Sequence, residues 1–425
     1  MSRFFADLHV HSRFSRATSK SLEPAVMARW AALKGIGLLG TGDMVHPGWL
    51  DVLEESLAEG PDGLCHPAGN PGGTAFLPTG EISLIYKQDG RTRKVHLLLA
   101  APNLRTARKL SEKLDQMGNI RSDGRPVLGL SARTLAEVAL SVDPEIQIVP
   151  AHVWTPWFSI FGSKSGFDSV EECFGDLSGR VTALETGLSS DPEMNRLVSK
   201  LDRYALVSFS DAHSPEKLGR EATVMEGDVS WASVKSALQG GKSLAGTVEF
   251  FPEEGKYHLD GHVKCGPALT PARTKECRGI CPVCGKPLTV GVLSRVLDLA
   301  DREEAPGGGL PDWHLVPLME VLSQVLGRGV QTMAVREAYL ALVGEFGSEF
   351  KLLMETPAED LGSFGGPLLA RAVANMRAGR VAASGGYDGQ AGTVGVLSPA
   401  DRKEIGDGPA PAGSPGSRRR ARPAV

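Results

Sequence analysis

Long apolar runs, aromatic side chains and an excess of charge of either sign are all scarce in this sequence. No stretch of about 18 apolar residues occurs, so we expect no transmembrane helix. The first twenty residues carry several charged and histidine side chains and no apolar segment, so we expect no secretory signal peptide. The net charge of −4 over 425 residues excludes a uniformly basic protein but leaves room for a local basic face.

Cysteine is rare but clustered. Three of the six cysteines, Cys277, Cys281 and Cys284, lie within eight positions, which in a chain without a signal peptide favours metal binding over disulfides. His262-x2-Cys265 has the same internal spacing as Cys281-x2-Cys284, and fifteen residues separate the two pairs. We therefore predict one tetrahedral structural zinc held by these four residues, with Cys277 as the rival fourth ligand.

Short apolar runs alternate with helical patterns through the first 250 residues. This alternation, with seven predicted strands, indicates an α/β fold that closes into a (β/α) barrel rather than a small open sheet. The predicted strands are Arg3–His11, Ile36–Asp43, Ala75–Tyr86, Lys94–Ala100, Gln147–Val153, Val181–Gly187 and Ala205–Ser210. The predicted helices between them are Glu23–Leu33, Trp49–Ala58, Leu104–Met117, Ala132–Val142 and Trp231–Leu238.

The composition changes after the barrel. We predict a barrel over residues 1–250, a zinc-binding module over 251–305, a helical C-terminal DNA-binding domain over 306–400 and a disordered basic tail over 401–425. The predicted C-terminal helices are Val316–Leu326, Val335–Phe346, Glu349–Glu355 and Leu368–Ala378.

Nearly every predicted strand carries a metal-ligating side chain, most of them at the carboxyl end, where barrels place their chemistry. These residues are His9, His11, Asp43, Glu81, His96, His152, Glu185, Asp211 and His213. Imidazoles combined with carboxylates suit two or three divalent ions such as Zn²⁺, Mn²⁺, Mg²⁺ or Fe²⁺. Metal clusters of this kind catalyse phosphoryl transfer, so the pattern predicts a metal-dependent phosphoesterase.

The residues that carry this pattern are similar to a known family. Phe5-Ala-Asp-Leu-His-Val-His-Ser12, Gly80-Glu81, His96, His152 and Ser210-Asp-Ala-His213 resemble the PHP (polymerase and histidinol phosphatase) phosphoesterases. The resemblance implies a distorted seven-stranded barrel with a trinuclear metal site, in which we expect Asp211, His9, His11 and Glu81 to be catalytic. Met44 stands where the family usually has a histidine, so the number of ions, two or three, stays open, as does the role of Asp43.

A narrower resemblance covers about residues 1–398. It is to the endonuclease Q group of PHP proteins, and the motifs that carry it are Ala151-His-Val-Trp-Thr-Pro-Trp-Phe158, Glu185-Thr-Gly-Leu-Ser-Ser-Asp191, Gly246-Thr-Val-Glu-Phe-Phe-Pro252, Gly255-Lys-Tyr-His258, Cys281-Pro-Val-Cys-Gly285 and Gly386-Tyr-Asp-Gly389. It implies an endodeoxyribonuclease of DNA repair that nicks duplex DNA on the 5′ side of deaminated bases (uracil, hypoxanthine, xanthine) and of abasic sites. We expect a monomer that is cytoplasmic, associated with the nucleoid and without a membrane partner.

Two other functions compete with this one. A small-molecule phosphoesterase of the histidinol-phosphatase type would not explain residues 251–305, called the cysteine module below, or the helical domain over 306–400. A DNA-binding accessory protein with a relic barrel would be expected to have lost the metal ligands, which are present.

Two basic segments are candidates for contact with DNA. Lys87–Arg133 has eleven basic and four acidic residues, a net charge of +7, and Lys256–Arg302 has eight basic and four acidic residues, a net charge of +4. Ordinary solvated faces are the alternative.

The loop after His152 is a candidate lesion-binding element, since its aromatics could stack on or wedge beside an extruded base and its Gly162-Ser163-Lys164 segment could donate to a phosphate. A loop anchored by buried aromatics is the alternative. The candidate lesion contacts are Trp154, Trp157, Phe161, Gly162, Ser163, Lys164 and Ser190.

Overall fold

The computed structural model describes residues 2–60, 62–68, 73–266 and 268–406. These residues fall into two compact units. Unit 1 consists of Met1–Ala32, Ile36–Asp312 and Gly385–Gly392, and unit 2 consists of Leu33–Gly35, Trp313–Ser384 and Thr393–Val425. Within the described ranges, no helix is both long and apolar enough to cross a membrane.

The strands of unit 1 are short except for two of ten residues. They are β1 Arg3–Asp7, β2 Ile36–Gly40, β3 Leu57–Glu59, β4 Cys65–Pro67, β5 Ala75–Leu77, β6 Thr79–Gln88, β7 Arg91–Ala100, β8 Val127–Leu128, β9 Gln147–Pro150, β10 Ala183–Glu185, β11 Ala205–Val207, β12 Ala222–Glu226 and β13 Leu244–Glu249.

The helices of unit 1 connect these strands. They are α1 Pro24–Lys34, α2 Pro47–Ser56, α3 Leu104–Asp115, α4 Ala132–Val142, α5 Val170–Phe174, α6 Pro192–Arg196, α7 Trp231–Leu238, α8 Pro271–Glu276 and α9 Val292–Leu299, with 3₁₀ turns at Gly175–Arg180, Ser199–Leu201, Pro215–Lys217, Pro252–Glu254 and Val263–Cys265. All five helices predicted in the barrel are present, and α4 and α7 have the predicted bounds.

The barrel strands form three hydrogen-bonded sheets. One has the order β13-β12-β1-β2-β5-β4-β3, the second β8-β6-β7-β9, and the third is the pair β10-β11. Side chains from different sheets, among them Leu38, Leu77, Leu98, Val149 and Val207, pack into one core. The sheets therefore enclose a common interior, as expected for a barrel.

Pairing within these sheets is mixed, although the alternating pattern had suggested a parallel sheet. β1 pairs in parallel with β2 but antiparallel with β12. β6 and β7 form a long antiparallel hairpin. Its turn is Asp89-Gly90, with φ of 50° and 72°, the positive values that a type I′ hairpin turn requires. The sequence contained this Asp-Gly signal, but the strand prediction did not use it.

A turn after β2 positions the first part of the site. Gly42 has φ of 63°, and a Cβ there would lie 2.4 Å from the Val10 carbonyl oxygen, so a larger residue would push the turn off the neighbouring chain. The buried indole of Trp49, on α2, donates through Nε1 to the carbonyls of Thr41 (3.2 Å) and Gly42 (2.8 Å). The turn that leads into Asp43 is therefore held on both sides.

Unit 2 is mainly helical. Its elements are α10 Leu318–Leu326, α11 Met333–Phe346, a π-helical turn Lys351–Glu355, α12 Ala358–Gly365, α13 Pro367–Arg377, β15 Ala382–Ser384, β16 Thr393–Gly395 and α14 Pro399–Ile405. The short strand β14 Asp312–His314 spans the boundary in sequence between the two units. The sequence pattern had missed α12. Gly366, with φ of 87°, separates it from α13, which begins with Pro367.

The boundaries differ from those expected from composition. Residues 251–305, predicted as a separate module, belong to unit 1. The segment Gly385–Gly392 also belongs to unit 1, where Asp388 accepts hydrogen bonds from Val263 N (2.8 Å) and Thr289 Oγ1 (2.7 Å). The tail predicted from residue 401 begins inside α14, and residues 407–425 lie outside the described part of the chain.

We predict that Trp49→Phe lowers the free energy of unfolding by about 1–3 kcal/mol, because it leaves two buried carbonyl oxygens without their donor. Urea unfolding measures the change. Trp231→Phe, the same substitution at a half-buried position of α7, should stay within about 0.5 kcal/mol of the wild type. Equal losses in the two variants would contradict the role given to the Trp49 indole.

Candidate metal centre

One fully buried carboxylate, Glu81 on β6, lies at the centre of the predicted ligands. Its Oε2 atom is 3.6 Å from His9 Nε2 and 3.5 Å from His11 Nε2. Asp211 Oδ1 is 3.0 Å from His11 Nε2 and 3.7 Å from His9 Nε2. One ligand atom from each of these four residues lies within 4.8 Å of the others, a spacing that a single metal ion could bridge.

The other oxygen of Glu81 faces a second group. Its Oε1 atom lies 3.1 Å from His152 Nε2 and contacts His96 Nδ1, and the two ring nitrogens are 3.2 Å apart. Glu81, His96 and His152 also lie within the 4.8 Å limit. Glu81 thus offers a different oxygen to each group, as a bridging carboxylate does in two-metal sites.

Two predicted ligands lie behind the rings instead. His9 Nδ1 donates to Glu185 (2.9 and 3.0 Å), and His11 Nδ1 donates to Asp43 Oδ1 (3.2 Å). These carboxylates turn the Nε2 atoms of both histidines toward Glu81, which is the arrangement that metal-ligating histidines commonly have. The structure therefore gives Asp43 and Glu185 orienting positions, and the expectation that they are direct ligands is not supported by these contacts.

The Asp43 carboxylate is fully engaged. It accepts hydrogen bonds from Ser12 N (2.8 Å), Ser12 Oγ (2.6 Å) and Ser15 Oγ (2.9 Å). Although burial opposes it, His11 and the two hydrogen bonds from Ser12 hold the pKa of Asp43 below its usual value. Met44, where the family usually has a histidine, is buried and its N–H donates to the Thr79 carbonyl, so it fills space beside β6.

The loop that carries Asp211 is fixed by residues that sequence reasoning did not single out. Asp7 accepts from Ser210 N and Gly219 N, both at 2.9 Å, and Arg220 donates to the carbonyls of Ser210 (2.7 Å) and Asp211 (3.2 Å). The sequence offered no spacing signal for Arg220, because its contacts cross a 3₁₀ turn.

His213 completes the predicted set but lies outside both groups. Its Nδ1 donates to the Asp211 carbonyl (2.9 Å), and its ring centroid is 4.5 Å from that of His11. Its side chain is 29% exposed.

The backbone is strained at three of the site residues. Asp43, His152 and Asp211 have φ of 50°, 30° and 46°, values that non-glycine residues rarely adopt. Gly187, with φ of 71°, packs so closely that a Cβ there would lie 2.5 Å from His152 Cβ. Strain of this kind persists only where surrounding contacts enforce it, and it is typical of functional sites.

The electrostatics fit bound cations. Although burial opposes it, the hydrogen bonds that His11 donates to Asp211 and Asp43 raise its pKa to about 9, so the carboxylates attract positive charge. Burial lowers the pKa of His96 to about 4, which leaves that ring neutral and able to ligate. His9 Nε2 is buried without a hydrogen-bond partner among the described residues, an orphaned acceptor that a metal ion would satisfy. The donor set suits divalent cations.

Two solved structures resemble this chain over nearly its whole length. The crystal structure of the lesion-specific endonuclease PfuEndoQ from Pyrococcus furiosus superposes with a TM-score of 0.82 and 33% sequence identity, covering 95% of this chain and 99% of that one. A structure of endonuclease Q in complex with a 27-mer duplex carrying an abasic lesion at the active site also matches with a TM-score of 0.82 and 33% identity, over 93% and 97% of the two chains.

The chain belongs to the endonuclease Q family. The prediction of an endonuclease is thereby confirmed. The family model of the MJ0043 C-terminal domain matches residues 317–380, which lie in unit 2. The uncharacterized protein MJ0043 of Methanocaldococcus jannaschii is 31% identical over 250 residues, which are 57% of this chain and 31% of that protein, so this chain spans less than a third of its length.

The aromatic loop of this endonuclease Q chain differs from the expectation. Trp154 and Phe161 are each about 1% exposed and make a tilted ring contact at 4.8 Å between centroids. Trp154 Nε1 donates to Asn195 Oδ1 (2.8 Å). They are core residues, so their prediction as lesion contacts is wrong. Trp157 is partly exposed and makes an edge contact with Tyr257 at 5.9 Å.

The polar residues of the loop brace it against the cysteine module. Ser163 Oγ donates to the Val290 carbonyl (2.8 Å) and Lys164 Nζ to the Leu288 carbonyl (3.1 Å). At Gly162 a Cβ would lie 2.5 Å from the Thr155 carbonyl oxygen, which explains the glycine by packing.

Ser190 does not reach the surface either. It is buried, and its Oγ donates to the Thr186 carbonyl (2.8 Å) and accepts from Asn195 (3.2 Å). The predicted lesion contacts Ser163, Lys164, Gly162 and Ser190 therefore have structural partners.

Several arginines of the two basic segments form ion pairs with carboxylates, so they are less available for contact with DNA than the net charges suggest. Arg108 pairs with Asp51 and Glu54, and Arg133 pairs with Asp176. In the second segment, Arg273, Arg295 and Arg302 likewise pair with Glu276, Asp168 and Asp202. Much of the positive charge is therefore neutralised by acidic residues.

The cysteine group assembles as predicted. His262 Nδ1 lies 3.2 Å from Cys265 Sγ and from Cys284 Sγ, and Cys281 completes a group whose ligand atoms lie within 4.8 Å of one another. Backbone N–H groups of Cys284 and Val283 lower the pKa of Cys281 to about 6, which favours the thiolate that metals bind.

Cys277 is not part of this group. Its Sγ donates to the Thr274 carbonyl (3.5 Å), and His262 is the fourth member of the group instead. A Cys3His set is typical of a closed tetrahedral zinc site.

We predict that Cys281→Ser loses about one zinc per chain and lowers the melting temperature, because structural zinc contributes folding free energy. Mass-spectrometric metal analysis and thermal unfolding measure both. Cys277→Ser is the matched control and should keep its zinc. Loss of zinc from the control but not from Cys281→Ser would reverse the assignment.

Proposed function

We propose that this protein is a metal-dependent DNA repair endonuclease that hydrolyses the phosphodiester on the 5′ side of deaminated bases (uracil, hypoxanthine, xanthine) and of abasic sites. The observation that carries the proposal is Glu81 shared between two groups of metal-competent side chains, inside a fold that matches a lesion-specific endonuclease over nearly its whole length. A neighbouring structure holds duplex DNA with an abasic lesion at the active site, which supports duplex DNA as the substrate.

The residues divide the catalytic work. His9, His11 and Asp211 would hold one divalent ion together with Glu81, and His96 and His152 would hold a second with the other Glu81 oxygen. Divalent ions at such a site lower the pKa of water and neutralise charge on the phosphate.

The chain's own contribution is to orient these ligands. Glu185 and Asp43 fix the tautomers of His9 and His11, since each accepts the Nδ1 proton. Ser83 Oγ lies 2.7 Å from His96 Nε2 and performs the same task at the second group.

Recognition of a deaminated base requires access to its Watson–Crick edge, which is hidden in a stacked duplex. We therefore propose that the damaged nucleotide leaves the stack before cleavage. Trp157 and Phe158 are the aromatics of the loop that remain partly exposed. Phe158 lies against the His96 ring at 4.5 Å between centroids, and Trp157 is the candidate stacking ring, in a loop braced through Ser163 and Lys164. A ring held in this way offers a rigid stacking surface.

We predict that the protein nicks duplexes carrying uracil, inosine or an abasic site in the presence of Mn²⁺ or Mg²⁺, and that Asp211→Ala and His9→Ala abolish nicking while DNA binding survives. Each substitution removes a metal ligand but little of the surface available to DNA. Gel assays of nicking and anisotropy measurements of binding test this. Uracil opposite guanine should be cut at least as well as uracil opposite adenine, because a mismatched base costs less to extrude.

Two results would contradict the assignment. Near-normal turnover by Asp211→Ala at saturating metal would show that the ligand set is not catalytic. Equal cutting of lesion-containing and undamaged duplexes by the wild type would show that the enzyme lacks lesion specificity.

We predict that Trp157→Ala lowers activity on a uracil duplex by about 1–3 kcal/mol, the typical loss of a base-stacking ring, and lowers activity on an abasic duplex less. Steady-state nicking on both substrates measures the difference. Trp157→Phe keeps an aromatic face and serves as the control that should retain most of the activity. Equal losses on both substrates would show that the ring contacts the backbone instead of the base.

A further inference from the structure

Arg125 lies at the metal-competent groups although no motif in the sequence marks it. Its Nη1 atom donates to Glu81 Oε2 at 3.1 Å, and its side chain keeps 27% of its surface exposed. Among the described residues, the other guanidinium N–H groups have no hydrogen-bond partner. One side of the cation therefore touches the shared carboxylate, and several donors remain for a ligand.

The loop that carries Arg125 is built to press against the site. Gly124 N donates to the Phe14 carbonyl (3.0 Å), and a Cβ at Gly124 would lie 2.2 Å from Asp43 Oδ2. Asp123 Oδ1 accepts from Arg16 N (3.1 Å) and Arg125 N (3.2 Å). A side chain at position 124 would push the loop away, so the glycine is needed for this approach.

Both ends of the loop are anchored to the barrel. His46 Nε2 lies 3.1 Å from the Arg121 carbonyl oxygen, and Ser83 N donates to the Pro126 carbonyl (3.0 Å) just before β8 pairs with β6. The position of Arg125 is therefore set on folding and does not have to be organised when a ligand arrives, which is the condition for effective electrostatic stabilisation.

The charges around Arg125 are mixed. The carboxylates of Glu81, Asp211 and Asp123 attract it, and His96 and His213 also interact with it electrostatically. A phosphodiester that enters this site brings negative charge toward those carboxylates. A guanidinium is well suited to offset it, because its planar donors match phosphate oxygens.

We propose that Arg125 is a catalytic residue that donates to a non-bridging oxygen of the phosphate being cut and stabilises the charge that develops there. This role rests on the function proposed above. It differs from a positioning role, in which Arg125 would only neutralise Glu81 and keep that ligand in place.

Measuring both the metal content and the kcat of Arg125 variants separates the catalytic role from the positioning role. We expect Arg125→Gln to keep its barrel metal and lower kcat by about 10²–10³-fold, as the loss of one preorganised donor to a transition state does. The kcat of Arg125→Lys should fall between those of the wild type and Arg125→Gln, since a lysine keeps the charge but loses the planar donor pair. Arg121→Gln is the matched control, because Arg121 is on the same loop, is 63% exposed and pairs with Asp115; its activity should stay within about threefold of the wild type.

Binding provides a readout that does not depend on turnover. The probes are an abasic duplex and the same duplex with a neutral methylphosphonate at the scissile position, both measured at 4 °C before nicking is detectable. The neutral linkage should weaken binding to the wild type at least about fivefold more than binding to Arg125→Gln, because only the wild type loses the contact.

Two results overturn the proposal. Loss of barrel metal in Arg125→Gln, or kcat within about threefold of the wild type with metal retained, would leave Arg125 without a role at the phosphate. If the wild type fails to nick any lesion duplex, the proposed function fails instead. The same variants assayed on bis(p-nitrophenyl) phosphate then test Arg125 by itself.

Discussion

A carboxylate buried among imidazole rings needs compensating positive charge, and Glu81 imposes this requirement on the whole of unit 1. Although burial opposes ionisation, Arg125 and His9 help to hold the pKa of Glu81 well below its ordinary value. Because each Glu81 oxygen faces a different set of rings, the strands that carry those rings must end around it. Divalent cations would supply further positive charge at this carboxylate, and the proposed phosphodiester hydrolysis would use the same cations.

The strained turns follow from that requirement. Asp43, His152 and Asp211 adopt φ values that cost conformational free energy, and each is held there by contacts made elsewhere in the barrel. Gly124 and Gly187 allow two loops to approach so closely that a methyl group would collide with Asp43 or His152. The small residues and the strain are two aspects of one geometry, in which side chains from distant segments converge on a single carboxylate.

The aromatic loop connects the metal centre with the cysteine module. His152 opens it, its buried rings anchor it in the core, and Ser163 and Lys164 bond to carbonyls of the cysteine module. A zinc ion that orders the module would thereby also order the loop beside the metal centre. Residues 251–305 lie within unit 1, in which these hydrogen bonds join the cysteine module to the loop that follows His152.

The sequence by itself determined the element types and the ligand inventory. Apolar periodicity predicted α4 and α7 at their observed bounds, and the spacing of His262, Cys265, Cys281 and Cys284 predicted a group that the fold assembles. These features depend on local spacing, which is read directly from the chain.

Only the tertiary structure decided which of the candidate ligands gather around Glu81. Glu185 and Asp43 have the same chemistry as Glu81, but they lie behind His9 and His11 because hydrogen bonds across the barrel turn them there. In the same way, burial removed Trp154 from the surface, and loop packing brought Arg125 to Glu81 from 44 positions away in sequence. Orientation, burial and long-range approach depend on how distant segments pack, and no local pattern encodes them.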